Sequence, residues 1–99
     1  MATLSESDVR QALRELPGWV NQDGTLQKTF THASFPEAIV FVNAVAHLAE
    51  LANHHPDIDV RYSNITLSLM THDQKGITNK DVALAQQVEA IRKKAGVPA

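Results

Sequence analysis

The stretch DVRYSNITLSLMTH, residues 59–72, decides the fold class. Within it, Ile65, Leu67 and Leu69 alternate with smaller polar residues, and alternation with a period of two is typical of a half-buried β-strand. The polar pair Ser63-Asn64 predicts a tight turn between this strand and an earlier one. The stretch therefore predicts a β-hairpin, whose two strands are antiparallel.

Two ring-bearing residues flank the second strand of this hairpin. Tyr62 alternates with Val60 on the first strand, which favours a packing role over a chemical one. His72 stands at the end of the second strand, on the less apolar of its two faces. We therefore treat His72 as a candidate site residue and Tyr62 as a structural one.

A second hairpin lies upstream, in WVNQDGTLQKTF, residues 19–30. The pair Asp23-Gly24 is a strong signal for a two-residue turn. Leu26 and Phe30 mark the buried side of the strand that follows, which we predict to end near residue 31. Trp19, a strand residue after Pro17-Gly18, is a candidate for the hydrophobic core. Two hairpins imply a largely antiparallel sheet.

Three helices are predicted, over residues 5–16, 34–52 and 78–95. Each begins at a Ser or Thr that is followed three residues later by Asp or Glu, the pattern of a capping box. The order is helix, two strands, helix, two strands, helix. We predict an α+β fold in which three helices pack on one face of a four-stranded antiparallel sheet, as a single domain over residues 1–99.

Composition argues against several classes of function. The net charge is −2 and Lys and Arg form no dense run, so we expect no nucleic-acid partner. The absence of cysteine excludes disulfides and thiolate chemistry. The stretch MATLSESDVR lacks the apolar segment of a signal sequence, and the apolar stretch 38–52 is interrupted by polar residues and short for a membrane span. We expect a cytoplasmic protein that does not contact a membrane.

The central predicted helix is apolar over a wide band between residues 35 and 52. Such width indicates two packing partners, a sheet on one side and a neighbouring subunit on the other. We therefore expect a homo-oligomer, either a dimer or a tetramer.

Two adjacent histidines stand at the end of this helix, in AELANHHPDI, residues 49–58. Neighbouring residues on a helix do not face each other. Pro56 disfavours the helical conformation at His55, so the chain leaves the helix near Asn53. His54 and His55 therefore lie on exiting backbone, from which both rings can approach His72.

Three interpretations of the three histidines remain open on spacing alone. Three imidazoles can bind zinc and leave a coordination position open. Alternatively, they carry out acid–base catalysis without a metal, because histidine titrates near working pH. In that case Glu50, one turn before His54, orients a ring. In the third interpretation, the rings merely cap the helix and fix the loop.

A longer pattern joins these residues: Glu50, then the run 54–56 (His-His-Pro), Tyr62, His72 and Asp81, at intervals that repeat a known signature. In this pattern and its spacing the chain resembles the pterin-4a-carbinolamine dehydratase family. The resemblance extends over most of the sequence, and the predicted order of helices and strands is also that of the family.

The resemblance implies a lyase that removes water from a 4a-hydroxytetrahydropterin and releases the quinonoid dihydropterin. This step belongs to pterin recycling for aromatic amino acid hydroxylation. It implies a small-molecule pterin substrate, no metal and no cofactor. Family members also act as a dimerisation cofactor of a transcription factor or as assembly factors, so a protein-binding module is the alternative function.

The resemblance also implies a role for individual residues. His54 and His72 are the acid and base, His55 binds and orients the pterin, and Glu50 supports His54. The residues expected to bind the substrate are Asn53, His54, His55, Met70, Thr71, His72 and Asp73. Asn53 departs from the aspartate of animal members. Trp19 stands where the family has a tryptophan near the pocket, a role that fits it as well as the core does. Asp81 is the third residue of a predicted capping box, which explains it structurally.

Overall fold

The computed structural model describes residues 3–99, so the first two residues of the predicted domain lie outside it. The order of elements is helix, two strands, helix, two strands, helix, which confirms the prediction. A one-turn 3₁₀ helix at His72–Gln74 precedes the last helix. The elements are α1 (Glu6–Leu13), β1 (Val20–Gln22), β2 (Thr25–Thr31), α2 (Phe35–Ala52), β3 (Asp57–Arg61), β4 (Asn64–Leu69) and α3 (Asn79–Ala95).

The four strands form one antiparallel sheet in the order β1-β2-β4-β3. The two hairpins meet through β2 and β4, where Leu26 lies opposite Leu69 and Phe30 opposite Ile65. All four side chains are buried in one cluster with apolar residues of the helices. The alternation seen in the sequence therefore places one face of the sheet in the core.

The opposite face of the sheet is polar. Its side chains form hydrogen bonds across the central strands, as between Gln27 Nε2 and Ser68 Oγ at 3.1 Å and between the hydroxyls of Thr29 and Thr66 at 2.7 Å. A polar sheet face needs no covering layer. The helices accordingly pack on the other face, as predicted.

The first hairpin turns where the sequence predicted. Asp23 and Gly24 both have positive φ, at 54° and 86°, as a two-residue type I′ turn requires. Gly24 adopts this conformation without steric cost because it has no Cβ. The Asn21 carboxamide oxygen accepts from the Gly24 N–H at 2.9 Å and closes the turn.

The second hairpin turns one residue earlier than predicted, at Tyr62-Ser63. Asn64 is not a turn residue, because its backbone pairs with Arg61 and its side-chain oxygen accepts from the Thr31 hydroxyl at 2.9 Å. Tyr62 takes the left-handed position, with φ of 53°, and is 73% exposed. The prediction that Tyr62 packs in the interior was therefore wrong.

The first helix is shorter than predicted and ends at Leu13. The next three residues continue as turns whose N–H groups bond three residues back, as from Leu16 to the Leu13 carbonyl at 3.1 Å. Pro17 accounts for this early end, since it has no N–H to donate to the Leu13 carbonyl and its ring clashes with that carbonyl. The tighter turns bring Leu16 into the core.

The central helix α2 is long and apolar enough, by length and composition alone, to cross a membrane. The helix begins three residues before the apolar stretch 38–52 of the sequence, which by itself is short for a membrane span. The core helix of a globular fold passes the same test, and one face of α2 is buried against the sheet and α3. Its buried residues are Ala38, Phe41, Val45 and Ala49.

Trp19 is buried in the core. Its indole Nε1–H donates to Glu89 at 2.9 Å, and the same carboxylate accepts from Lys28 Nζ at 2.7 Å and from Arg92 Nε at 2.7 Å. Burial alone would raise the pKa of Glu89, but the hydrogen bonds from Lys28, Arg92 and Trp19 outweigh burial and hold it below its usual range. This buried cluster ties β2 to α3.

Candidate active site

The two adjacent histidines begin where α2 ends. Asn53 caps the helix in the left-handed conformation, with φ of 50°, which Asn tolerates better than most residues. The His54 N–H donates to the Ala49 carbonyl at 3.0 Å, and Pro56 prevents further helix. The chain therefore leaves the helix at His54-His55, as the sequence predicted.

A cavity of 330 Å³ lies at this helix exit. Its volume is at the low end of the range for small-molecule pockets, roughly 300–1,000 Å³. All seven residues predicted to bind substrate line it, so the three imidazoles of the predicted site surround one space. Lys80 also lines it, and the sequence reading had not singled out that residue. The lining residues are Asn53, His54, His55, Met70, Thr71, His72, Asp73 and Lys80.

The ring of His54 is held in place by a bond to Asp81 of α3. His54 Nε2 bonds to Asp81 Oδ1, and the Asp81 side chain is fully buried. The second carboxylate oxygen accepts from the Thr71 hydroxyl at 2.9 Å and from the Thr78 N–H at 2.8 Å. Asp81 thus completes the capping box of α3, as predicted, and also fixes a site histidine, which the structural interpretation missed.

Glu50 does not contact His54, contrary to the prediction. Its Oε1 bonds to His55 Nε2 at 2.9 Å, on an exposed surface. The reason is the left-handed cap at Asn53, which turns the backbone so that His54 bonds to α3 while His55 folds back toward α2. The two carboxylates of the signature therefore serve one histidine each.

His72 reaches the cavity from a loop and not from a strand end. β4 stops at Leu69, and a bridge between Thr71 and Gly76 encloses the 3₁₀ turn that begins with His72. The Leu4 N–H donates to the Ile77 carbonyl at 2.8 Å and holds the end of this loop. His72 is exposed and lines the cavity beside His54.

Residues 3–99 contain no group of three or more His, Cys, Asp or Glu side chains arranged to hold a metal ion. Nε2 of His54 is bonded to Asp81. The backbone N–H groups of Asn53 and His54 close the end of the helix, so the imidazole rings are not what caps it. The arrangement can exchange protons with a small ligand and contact it from several sides.

Comparison with known proteins assigns the family. The family model described as pterin 4 alpha carbinolamine dehydratase matches residues 2–91. This chain belongs to that family. The resemblance inferred from Glu50, the histidines and Asp81 is thereby confirmed.

Curated members of the pterin carbinolamine dehydratase family are similar over nearly the whole chain. A protein of Herpetosiphon aurantiacus is 48% identical over 92% of this chain and 95% of its own length. One of Roseiflexus sp. (strain RS-1) is 52% identical over 92% and 99%. Both carry the name "Putative pterin-4-alpha-carbinolamine dehydratase".

Solved structures of the family have the same fold. A transcriptional coactivator/pterin dehydratase from Brucella melitensis superposes with a TM-score of 0.86 at 33% identity, over 90% of this chain and 97% of that one. A pterin dehydratase-like protein identified as a RuBisCO assembly factor in the alpha-carboxysome gives 0.61 at 23% identity, over 74% and 84%. The second likeness shows the fold alone.

The roles of two residues at the site, Asp81 and Lys80, could not be predicted from the sequence. Asp81 was visible in the signature, yet its capping role explained it fully until the bond to His54 was seen. Lys80 stands beside it at the start of α3 and gave no signal, because a lysine in the first turn of a helix is ordinary. Only the packing of α3 against the loop of His72 brings Lys80 to the cavity.

Proposed function

We propose that this protein is a 4a-hydroxytetrahydropterin dehydratase that works by histidine acid–base catalysis, without a metal. The observation that carries the proposal is that His54, His55 and His72 line one cavity in a chain of the dehydratase family. The product is the quinonoid dihydropterin, which returns to the pool used in aromatic amino acid hydroxylation. We further propose a cytoplasmic location.

The reaction needs one acid and one base. Hydroxide leaves C4a poorly unless it is protonated as the bond breaks, and the N5 proton must pass to an acceptor. Imidazoles in opposite protonation states meet both needs near neutral pH. Each positioned group of this kind contributes typically about 10²- to 10⁴-fold, and holding a flat, rigid ring between them adds the advantage of orientation.

His54 is the better fixed of the two proton-transfer residues. As a carboxylate, Asp81 accepts at both oxygens: one receives the Thr78 N–H and the Thr71 hydroxyl, and the other faces His54 Nε2. His54 Nε2 therefore carries the hydrogen in its bond to Asp81, and Nδ1 is the nitrogen left to exchange a proton with the substrate. This arrangement sets the tautomer of the neutral ring.

The other two histidines have complementary roles in the proposal. His72, on its short exposed turn, is the second proton-transfer group. His55 contacts the pterin, and its bond to Glu50 restrains the ring in the orientation that faces the cavity. Glu50 therefore acts as a positioning residue for His55 and not for His54.

The test is a stopped-flow dehydration assay on purified wild type and the variants His54→Ala, His72→Ala and His55→Ala. We expect rates about 10²- to 10⁴-fold lower for the first two and mainly a higher KM for the third. His47→Ala is the matched control, since His47 is exposed on α2 and does not line the cavity. A wild-type rate no faster than buffer would refute the proposal.

Self-association is a second proposal, and a specific surface supports it. α2 exposes Val40 at 67%, Leu51 at 81% and Phe35 at 46%, although its other face is buried. Val40 and Leu51 are eleven residues apart, about three helical turns, and therefore lie on the same side of α2. We propose that a second copy of this chain covers this surface, and we favour this over a foreign protein partner.

A further inference from the structure

We infer that the side chains of Asp73 and Lys80 recognise the 2-amino-4-oxo edge of the pterin, with Asp73 accepting from the 2-amino group and N3–H and Lys80 donating to O4. This inference rests on the proposed pterin substrate and adds the residues that form hydrogen bonds with its pyrimidine ring. It assigns to Asp73 a side-chain contact beyond the backbone contacts expected along residues 70–73.

The cavity contains one carboxylate that is free for a ligand. Asp81 is fully used by His54, Thr71 and Thr78, and it lies beneath the site. Asp73 lines the cavity and is exposed. Its side chain has no hydrogen-bond or ion-pair partner among residues 3–99.

The cavity also contains one free permanent cation. Lys80 lines it from the first turn of α3. Its backbone N–H bonds to the Thr78 hydroxyl at 3.2 Å, which fixes the start of the side chain. Its ammonium has no partner among the described residues 3–99. A single carboxylate and a single ammonium therefore remain beside the three imidazoles.

This pair of charges matches the pyrimidine edge of a pterin. The 2-amino group and N3–H are two adjacent donors that lie in the plane of the ring, and a carboxylate accepts two parallel hydrogen bonds from such a pair. O4 lies on the other side of N3–H and needs a donor, which an ammonium supplies. The reacting C4a is next to C4, so the same contacts orient C4a and N5 relative to His54 and His72.

Pterin and lumazine differ only at C2, and a carboxylate and an amide at position 73 are expected to bind them with different preference. Pterin presents two donors along this edge, whereas lumazine, its 2,4-dioxo analogue, presents one donor and one acceptor. An asparagine in place of Asp73 offers one donor and one acceptor, so it matches lumazine. Hydrogen bonds to a charged group correspond to roughly 10- to 100-fold in affinity.

The experiment is a fluorescence titration of pterin and lumazine against the full-length protein. Wild type is expected to prefer pterin by at least about tenfold, and Asp73→Asn to reverse the preference. Lys80→Met is expected to weaken both analogues by similar factors, because both carry O4. Asp59→Asn and Lys93→Met, at exposed positions away from the cavity, are the matched controls.

Dehydration assays on the same proteins separate this inference from the proposed function. Asp73→Asn is expected to raise KM and also to lower kcat, because the Asp73 contact both binds the ring and orients C4a and N5. An unchanged preference in Asp73→Asn, with normal dehydration by wild type, overturns the inference and leaves the dehydratase standing. A reversed preference in a protein that does not dehydrate the carbinolamine supports the inference and overturns the dehydratase.

Discussion

Single residues in this protein carry two tasks at once, and Asp81 is the clearest case. One carboxylate caps α3, accepts from Thr71 and fixes the ring of His54. Because it is fully buried, each of its acceptor positions must be occupied, and the histidine completes the set. Helix stability and the geometry of the site are therefore coupled through one side chain.

Replacing Asp81 by Asn separates these tasks. The amide keeps the shape but offers one acceptor atom where there were two, so His54 loses its fixed tautomer and orientation. We expect the dehydration rate to fall by about 10²-fold, measured as kcat. Thr78→Ala is the control, since it removes a capping oxygen but leaves the Asp81 carboxylate on His54. Equal rates for the two variants would contradict the positioning role.

A second prediction concerns Glu89, whose pKa lies below its usual range because the hydrogen bonds from Lys28, Arg92 and Trp19 outweigh its burial. A lowered folded-state pKa stabilises the fold above the unfolded value, about 4.5, and this stabilisation is lost as the pH falls through the folded-state pKa. We expect Glu89→Gln to lower the free energy of unfolding at pH 7 by about 3–5 kcal/mol, because it leaves the Lys28 ammonium buried with a weaker partner.

Chemical denaturation of wild type and Glu89→Gln between pH 3 and pH 8 checks this prediction. The difference between the two proteins is expected to be constant at neutral pH and to shrink at acidic pH. Exposed Glu37→Gln is the control. A difference that grows on acidification would be inconsistent with the lowered pKa.

At the scale of elements, the ends of helices decide where the site forms. The left-handed cap at Asn53 sends His54 toward α3 and His55 toward Glu50, although the two residues are adjacent in sequence. Pro17 shortens α1 by a similarly local effect, since it cannot donate to the Leu13 carbonyl four residues before it. Backbone conformation at one position thus sets the direction of the side chains that follow.

The cap at Asn53 yields a stability prediction. Asn53→Ala places alanine in the left-handed region. Alanine lacks the polar side chain with which asparagine compensates this conformation, so we expect the free energy of unfolding to fall by roughly 1–2 kcal/mol. In a chain of this size, each kcal/mol lost lowers Tm by about 4–8 °C. Asn53→Gly is expected to keep the wild-type Tm within a few degrees.

The control is Asn43→Ala, the same substitution at an exposed position in the middle of α2. There alanine is the better helix former, so stability is expected to stay level or rise. Calorimetry of the three variants measures the effect. Equal Tm values for Asn53→Ala and Asn43→Ala would show that the cap is not under conformational strain.

At the scale of the whole molecule, the two faces of α2 have different surroundings. The buried face lies against the sheet and α3, while the apolar residues Val40 and Leu51 are exposed on the other side. The candidate site residues Asn53, His54 and His55 follow the C-terminal end of the same helix. A partner copy bound along α2 would therefore rest on the element that presents His54 and His55.

The double variant Val40→Lys with Leu51→Lys tests self-association. Two charges on the exposed face of α2 are expected to convert an oligomer to a monomer, since they place ammonium groups in an apolar interface. Light scattering after size-exclusion chromatography measures the mass. Val20→Lys is the control, because Val20 is half exposed on β1 and away from α2. A wild type that is already monomeric would rule out the proposed oligomer.

The sequence by itself determined the elements and their order, because hydrophobic periodicity, capping residues and the Asp23-Gly24 turn are local signals that act within a few residues. It also determined that His54 and His55 leave a helix, since Pro56 acts on its immediate neighbour. The second turn was misplaced by one residue because the pairing of Asn64 with Arg61 and its bond to Thr31 depend on other strands.

Only the tertiary structure decided how the site is connected. The partner of His54 is Asp81, 27 residues away, and the neighbouring Lys80 reaches the cavity because α3 packs beside the loop of His72. No local rule could choose between Glu50 and Asp81, since both carboxylates stand in the signature. Side chains distant in sequence meet only after the sheet and helices have packed, and that packing assigned one carboxylate to each histidine.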